Sequence, residues 1–137
     1  DQEGMSAEEI TDLLYKESGL KGMSGISNDM RELEASDDPH ATEALDYFTF
    51  RIRRELGAMA AVLGGLDGLV FCGGIGENSA HIRGRVCDGM GWLGISVDEA
   101  ANQANAGVIS DGPTKVLVIP TNEEIVIARA AVQLAGA

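Results

Sequence analysis

Apolar residues recur along this chain at two different intervals, and the switches between them divide it into helices and strands. Ser6-Ala7-Glu8-Glu9 has the spacing of a capping box, in which the serine hydroxyl and the glutamate carboxylate each satisfy the other's backbone amide. Ile10, Leu13 and Leu14 follow at helical intervals. A short helix to about Glu17 is predicted, stopped at Gly19. Gly22, Ser24, Gly25 and Ser27 predict a loop too rich in glycine and serine for regular structure. Asp29-Met30-Arg31-Glu32-Leu33 predicts a further helical turn, and Ser36-Asp37-Asp38-Pro39 a helix start with proline in its first position. Leu45, Phe48, Ile52, Leu56, Met59 and Leu63 then recur at intervals of 3, 4, 4, 3 and 4. This predicts the longest helix, ending at Gly64-Gly65.

The period changes after those glycines. Leu69-Val70-Phe71-Cys72 is a continuous apolar run between glycines, the pattern of a strand buried on both faces. Gly73-Gly74-Ile75-Gly76-Glu77-Asn78-Ser79 follows as a turn, then a helix with Ile82, Val86 and Met90 on one face. Trp92 to Ile95 predicts a turn or short strand, and Asp98 caps a small helix. Val116-Leu117-Val118-Ile119 is a second buried strand ended by Pro120, and Thr121-Asn122-Glu123-Glu124 opens a last helix carrying Ile125, Ile127, Ala128 and Leu134. Alternating strands and helices imply an α/β fold, a parallel or mixed sheet with flanking helices.

Composition narrows the function classes. The 137 residues are the size of one domain, and 45% hydrophobic residues make it globular. A formal charge of −12 disfavours nucleic acid and anionic membranes as partners, because both are met by basic surfaces. Eleven of the 22 acids lie in residues 1–38 against 3 bases. No stretch approaches a membrane span and no signal peptide is visible, so a cytoplasmic location is expected. Two lone cysteines, Cys72 and Cys87, fit a reducing compartment. The absence of an initiator methionine leads us to expect part of a longer protein.

In an open α/β sheet the ligand lies beyond the carboxyl ends of the strands. The turn from Gly73 to Ser79 removes three side chains there and presents amides to an anion or a polar ring edge, although a plain βα turn needs the same glycines. It is not a dinucleotide fingerprint, since Ser79 stands where the third glycine belongs, nor a phosphate loop, since no Lys-Ser or Lys-Thr follows. Thr121 and Glu124 have capping-box spacing, which leaves Glu123 free to face a site as a water-mediated Mg²⁺ ligand; a solvated helix-start acid is the alternative. Asp29 and Arg31 could meet a nucleotide or form a local ion pair. His40, His81 and the cluster of Arg51, Arg53 and Arg54 are expected at the surface.

Three of these segments, Ser24-Gly25-Ile26-Ser27-Asn28-Asp29-Met30-Arg31, Phe71-Cys72 with the turn to Ser79, and Ile119-Pro120-Thr121-Asn122-Glu123-Glu124, resemble in order three motifs of acetate kinase and its propionate kinase relatives. Tyr15 to Leu20 and the long helix are similar too. The resemblance implies a ribonuclease H-like C-terminal domain of the actin, Hsp70 and sugar kinase superfamily, spanning 1–137. Residues 1–38 would be an acidic front, 39–65 the long helix and 66–137 a βαβα core. It implies ATP or ADP bound by Asp29, Met30 and Arg31 at the adenosine, and by Gly74, Ile75, Gly76, Glu77 and Asn78 around the adenine and ribose. Mg²⁺ would be held by Glu123, or by Glu124 if the register is one residue on. The resemblance implies reversible phosphorylation of a short-chain carboxylate by ATP, giving an acyl phosphate and ADP (acetyl phosphate where the parent is an acetate kinase), and dimerisation mainly through this domain. The family's N-terminal domain, with the catalytic aspartate, histidine and arginines, has no counterpart here, so a fragment without activity is expected. A propionate kinase and an association module without catalysis remain alternatives, and a dehydrogenase is a distant third.

Overall fold

The structure, a computed structural model, describes residues 4–136. It divides into two compact units, one ending at Met59 and one beginning at Ala60.

The first unit is helical. Helix α1 (Ala7–Lys16) starts with the predicted capping box: Ser6 Oγ accepts from the Glu9 amide at 3.2 Å, and a Glu9 carboxylate oxygen accepts from the Ser6 amide at 2.7 Å. Of the glycine- and serine-rich segment expected to be a loop, Gly22 and Ser24 lie instead in helix α2 (Gly19–Ser24), while Gly25 to Ser27 are irregular as expected. Glycine costs a helix only about 1 kcal/mol per position. Gly25, at φ 67°, closes this one by donating its amide to the Lys21 carbonyl at 2.7 Å. Asp29 caps α3 (Met30–Glu34), whose Met30 and Leu33 are buried. Helix α4 (Pro39–Leu63) begins at its proline, with Asp38 accepting from the His40 amide at 2.8 Å. Its stripe is buried at Ala41, Ala44, Leu45 and Thr49, and Thr49 returns its hydroxyl to the carbonyls of Leu45 and Asp46. Phe48, Ile52 and Leu56 are half-buried, and Met59 and Leu63 are exposed.

The second unit takes up the last turn of α4, which stops at Gly64 and Gly65, both at positive φ. Strands β1 (Gly68–Phe71) and β2 (Lys115–Val118) pair in parallel, from Gly68 opposite Lys115 to Phe71 opposite Val118. The sheet is thus parallel where a parallel or mixed one was expected, and isolated antiparallel bridges, Val108 to Leu117 and Val97 to Ser110, lie beside it. Val116 and Val118 are buried as expected, but β1 is not: Leu69 and Phe71 are half-buried and Val70 is exposed. A strand is buried on both faces only with a layer on each side, and a two-stranded sheet provides too little cover.

The predicted turn at 73–79 is itself a helix, α5 (Gly73–Asn78), followed by α6 (Ala80–Cys87), a 3₁₀ turn (Gly91–Leu93), α7 (Glu99–Gln103) capped by Asp98, and α8 (Glu123–Ala135). Ile82, Val86, Cys87, Met90, Ile95 and Ile109 join the two valines in the core of this unit. Among the described residues no helix is long and apolar enough to cross a membrane.

Candidate functional site

Parallel pairing sends both strands the same way, so the segments that follow them emerge side by side. Ile119 donates its amide to the Phe71 carbonyl at 2.9 Å, carrying the pairing one step past the strands. From there the first chain enters α5 through Gly73, at φ 70°, a backbone that a residue with Cβ adopts only at a cost. Gly76 lies against the end of β1, where an added Cβ would stand 3.3 Å from the Phe71 carbonyl carbon. Gly74 differs, since a Cβ there would meet no protein atom within 4 Å. The surface above Gly74 is therefore open to a ligand. Ile75 is partly exposed beside it, and Asn78 folds back to donate its side-chain amide to the Gly74 carbonyl at 2.8 Å.

Glu77 does not point outward from this turn. One carboxylate oxygen, Oε1, accepts from the Gly73 amide at 2.8 Å, the Thr121 amide at 2.9 Å and the Thr121 hydroxyl at 2.7 Å. The Thr121 hydroxyl, then its amide, hold the Glu77 pKa below the ordinary carboxylate range; burial opposes them, and the Gly73 amide adds a lesser lowering. This overturns the capping box expected at Thr121. The cap of α8 is Asn122, whose Oδ1 accepts from the Ile125 amide at 3.0 Å, while the Thr121 hydroxyl is spent on Glu77. The preference for Glu123 over Glu124 as metal ligand, which rested on that box, loses its support. Glu123 opens α8 and its side chain lies outside the described residues; Glu124 is exposed.

Behind the turn sits a charge that pattern reading missed. Arg83 on α6 is fully buried, and all five of its N–H groups are accepted by uncharged oxygens. Nε donates to Asn102 Oδ1 at 2.8 Å, Nη1 to the carbonyls of Gly76 at 2.9 Å and Glu77 at 3.1 Å, and Nη2 to the Asn102 carbonyl and to Asn105 Oδ1. Asn102, also fully buried, passes its remaining donor to the Ala80 carbonyl at 2.9 Å. Burial lowers the Arg83 pKa from its ordinary value. One sequence signal pointed here: Arg83 falls on the buried stripe of Ile82, Val86 and Met90, where a charge must find partners.

Asp29, Met30 and Arg31 belong to the first unit. Asp29 caps α3 through the Arg31 amide at 2.9 Å and pairs with the Arg31 guanidinium, which holds its pKa down at about 2. The local ion pair weighed from sequence is thus formed, with the Arg31 side chain 87% exposed. Met30 is buried. His40 and the arginine cluster are outside any assembled centre: Arg51 lies over Tyr47, and Arg54 pairs with Glu55. Cys87 is buried, which pushes its thiol up to about 11, and Cys72 is exposed. The structure therefore brings together the turn after β1 and the segment after β2.

Comparison with known proteins identifies the class first. The solved structures that match are kinases with the fold of the actin, Hsp70 and sugar kinase superfamily. The chain superposes on the acetate kinase of Porphyromonas gingivalis with a TM-score of 0.83 at 39% identity, over 98% of this chain and 36% of that one. It superposes on a propionate kinase from Francisella tularensis with a TM-score of 0.82 at 39% identity, over 94% of this chain and 34% of the other. In sequence it is 65% identical over 127 residues to the acetate kinase of Methylocella silvestris, covering 91% of this chain and 31% of that protein. The acetokinase family profile matches residues 1–129, and the chain belongs to that family. It spans about a third of the length of the relatives it matches.

Proposed function

We propose that this chain is the nucleotide-binding C-terminal part of an acetate kinase, an enzyme that transfers the γ-phosphoryl group of ATP to acetate and yields acetyl phosphate and ADP. Membership of the acetokinase family over residues 1–129 carries the reading. The reading assigns 66–137 to a βαβα core, 39–65 to the long helix segment and 1–38 to the acidic front helix and Gly/Ser loop. Gly74, Ile75, Gly76, Glu77 and Asn78 surround the adenine and ribose, and Asp29, Met30 and Arg31 meet the adenosine. The open space above Gly74 supports the first assignment. Glu77 Oε1 is spent on Gly73 and Thr121, the Glu77 carbonyl is held by Arg83, and the Met30 side chain is buried, so none of these groups is offered to the nucleotide.

Mg²⁺ accompanies the nucleotide. Such an ion keeps most of its waters and is held by phosphates with one or two carboxylates. Glu123 or Glu124 at the start of α8 is the group offered. Transfer itself requires positive charge around the equatorial oxygens of the moving phosphoryl group. Arg83 is enclosed and Arg31 is paired, and neither is presented for that task.

The reading places the protein in the cytoplasm as a homodimer. A ligand that binds only the native state raises its melting temperature. Millimolar Mg-ADP should therefore raise that of this chain, while a coupled assay should show no acetate-dependent ADP formation by the chain alone. An unchanged melting temperature would sink the nucleotide reading. A propionate kinase is the second reading, favoured by the Francisella tularensis match, and assay of the complete enzyme with both carboxylates separates the two.

A further inference from the structure

The two segments that follow β1 and β2 share no sequence neighbourhood, yet a single carboxylate oxygen holds both. Glu77 Oε1 takes the Gly73 amide at the start of α5, and the amide and hydroxyl of Thr121, 44 residues further on. Three donors on one oxygen leave that atom nothing to offer a ligand, and the acceptor must be ionised to hold them all well. Gly73 precedes the open position at Gly74, and Thr121 precedes the cap of α8. Moving either segment breaks bonds that fix the other.

We propose that Glu77 is a positioning residue, which sets the geometry of the nucleotide turn by yoking it to the segment that opens α8 through Oε1, an oxygen spent on those donors and not on the ligand. The inference deepens the nucleotide reading and rests on it. Arg83 does not replace this function: it holds the carbonyls at the far end of the same turn, so α5 is fixed at both ends, but it is Glu77 and not Arg83 whose side chain reaches across to the second strand's exit.

The test is an amide NMR titration of the chain with ADP, for the unaltered protein and for Glu77→Ala, Glu77→Gln and Thr121→Val. In the unaltered protein ADP should shift the amides of 74–78 and, through Glu77, that of Thr121. In Glu77→Ala the Thr121 response should vanish and ADP affinity should fall about ten-fold, the equivalent of one charge-assisted hydrogen bond. Glu77→Gln keeps an acceptor without the charge and should restore part of both. Thr121→Val removes only the hydroxyl and gives an intermediate loss, which keeps the test usable if Glu77→Ala does not fold. Acid titration of the unaltered protein should move the Gly73 and Thr121 amides with one common midpoint, below that of an ordinary glutamate. A Thr121 response and an affinity that survive Glu77→Ala defeat the yoke while leaving nucleotide binding intact. Absence of any shift at 74–78 in the unaltered protein defeats the nucleotide reading instead, and independent midpoints at Gly73 and Thr121 defeat the yoke in either case.

Discussion

Truncating Arg83 would strip partners at once from the carbonyls of Gly76, Glu77 and Asn102 and from the side-chain oxygens of Asn102 and Asn105, all held by one guanidinium. Each buried acceptor left unpaired costs about 1–3 kcal/mol, partly relieved where water reaches it. Arg83→Met should destabilise the chain by about 3 kcal/mol, read as a lower urea midpoint. Arg83→Lys should recover little, since an ammonium places its three donors on one nitrogen and cannot span both sides of the fork. Asp29 presents the opposite case, a charge at the surface. Its folded pKa is about 2, below the ordinary value of 3.8, so the protein binds this proton less readily folded than unfolded. Its contribution is thus fully present above the ordinary value and is lost as pH falls from there through about 2. Carbon-detected NMR should find the depressed midpoint, and Arg31→Ala should return it towards the ordinary carboxylate range. The unfolding midpoint should barely move, because exposed ion pairs contribute little.

Glycines in α5 separate folding from ligand contact within one element. Gly76→Ala drives a Cβ to 3.3 Å from the Phe71 main chain, whereas Gly74→Ala places it in open space on ordinary helical backbone. The first should lower the melting temperature and the second should leave it unchanged or raise it slightly, by about 0.5–1 kcal/mol of restored helix propensity. If the nucleotide lies over Gly74, the second change alone should weaken ADP binding, as calorimetry at matched concentrations would register. The same scale shows what could be read from sequence. Ser6 and Glu9 formed their capping box because both ends of that bargain lie within one exposed turn. Thr121 and Glu124 have the same spacing and did not, because Glu77, invisible at that distance along the chain, offers Thr121 a charged acceptor and Asn122 caps α8 instead. Local rules likewise found Asp29, Pro39 and Asp98 as helix starts. They missed α2, where a left-handed Gly25 closes a helix that composition argued against. The junction after β1 was legible as a candidate because strand, glycine and helix adjoin in sequence; the Arg83 fork draws on residues up to 22 apart and was not.

The chain as a whole leaves one element without the environment its composition demands. A helix apolar on most of its circumference is normally enclosed. Helix α8 instead exposes Ile125 at 40%, Val126 at 67%, Ile127 at 71%, Val132 at 53% and Leu134 at 89%, with Arg129 as its one basic residue. Contiguous apolar exposure of this kind marks a surface that associates. The homodimer proposed for the parent enzyme would give such a face a partner. Alone in solution, the 14.4 kDa chain should therefore associate as its concentration rises, and sedimentation velocity should follow the increase in average mass. Replacing Ile127 and Leu134 with glutamate should hold it at the monomer mass without lowering its melting temperature, because both side chains already face solvent. A monomer at every concentration would mean that α8 is tolerated bare. An association untouched by the double replacement would move the contact to another exposed apolar group, of which Trp92, at 68%, is the largest.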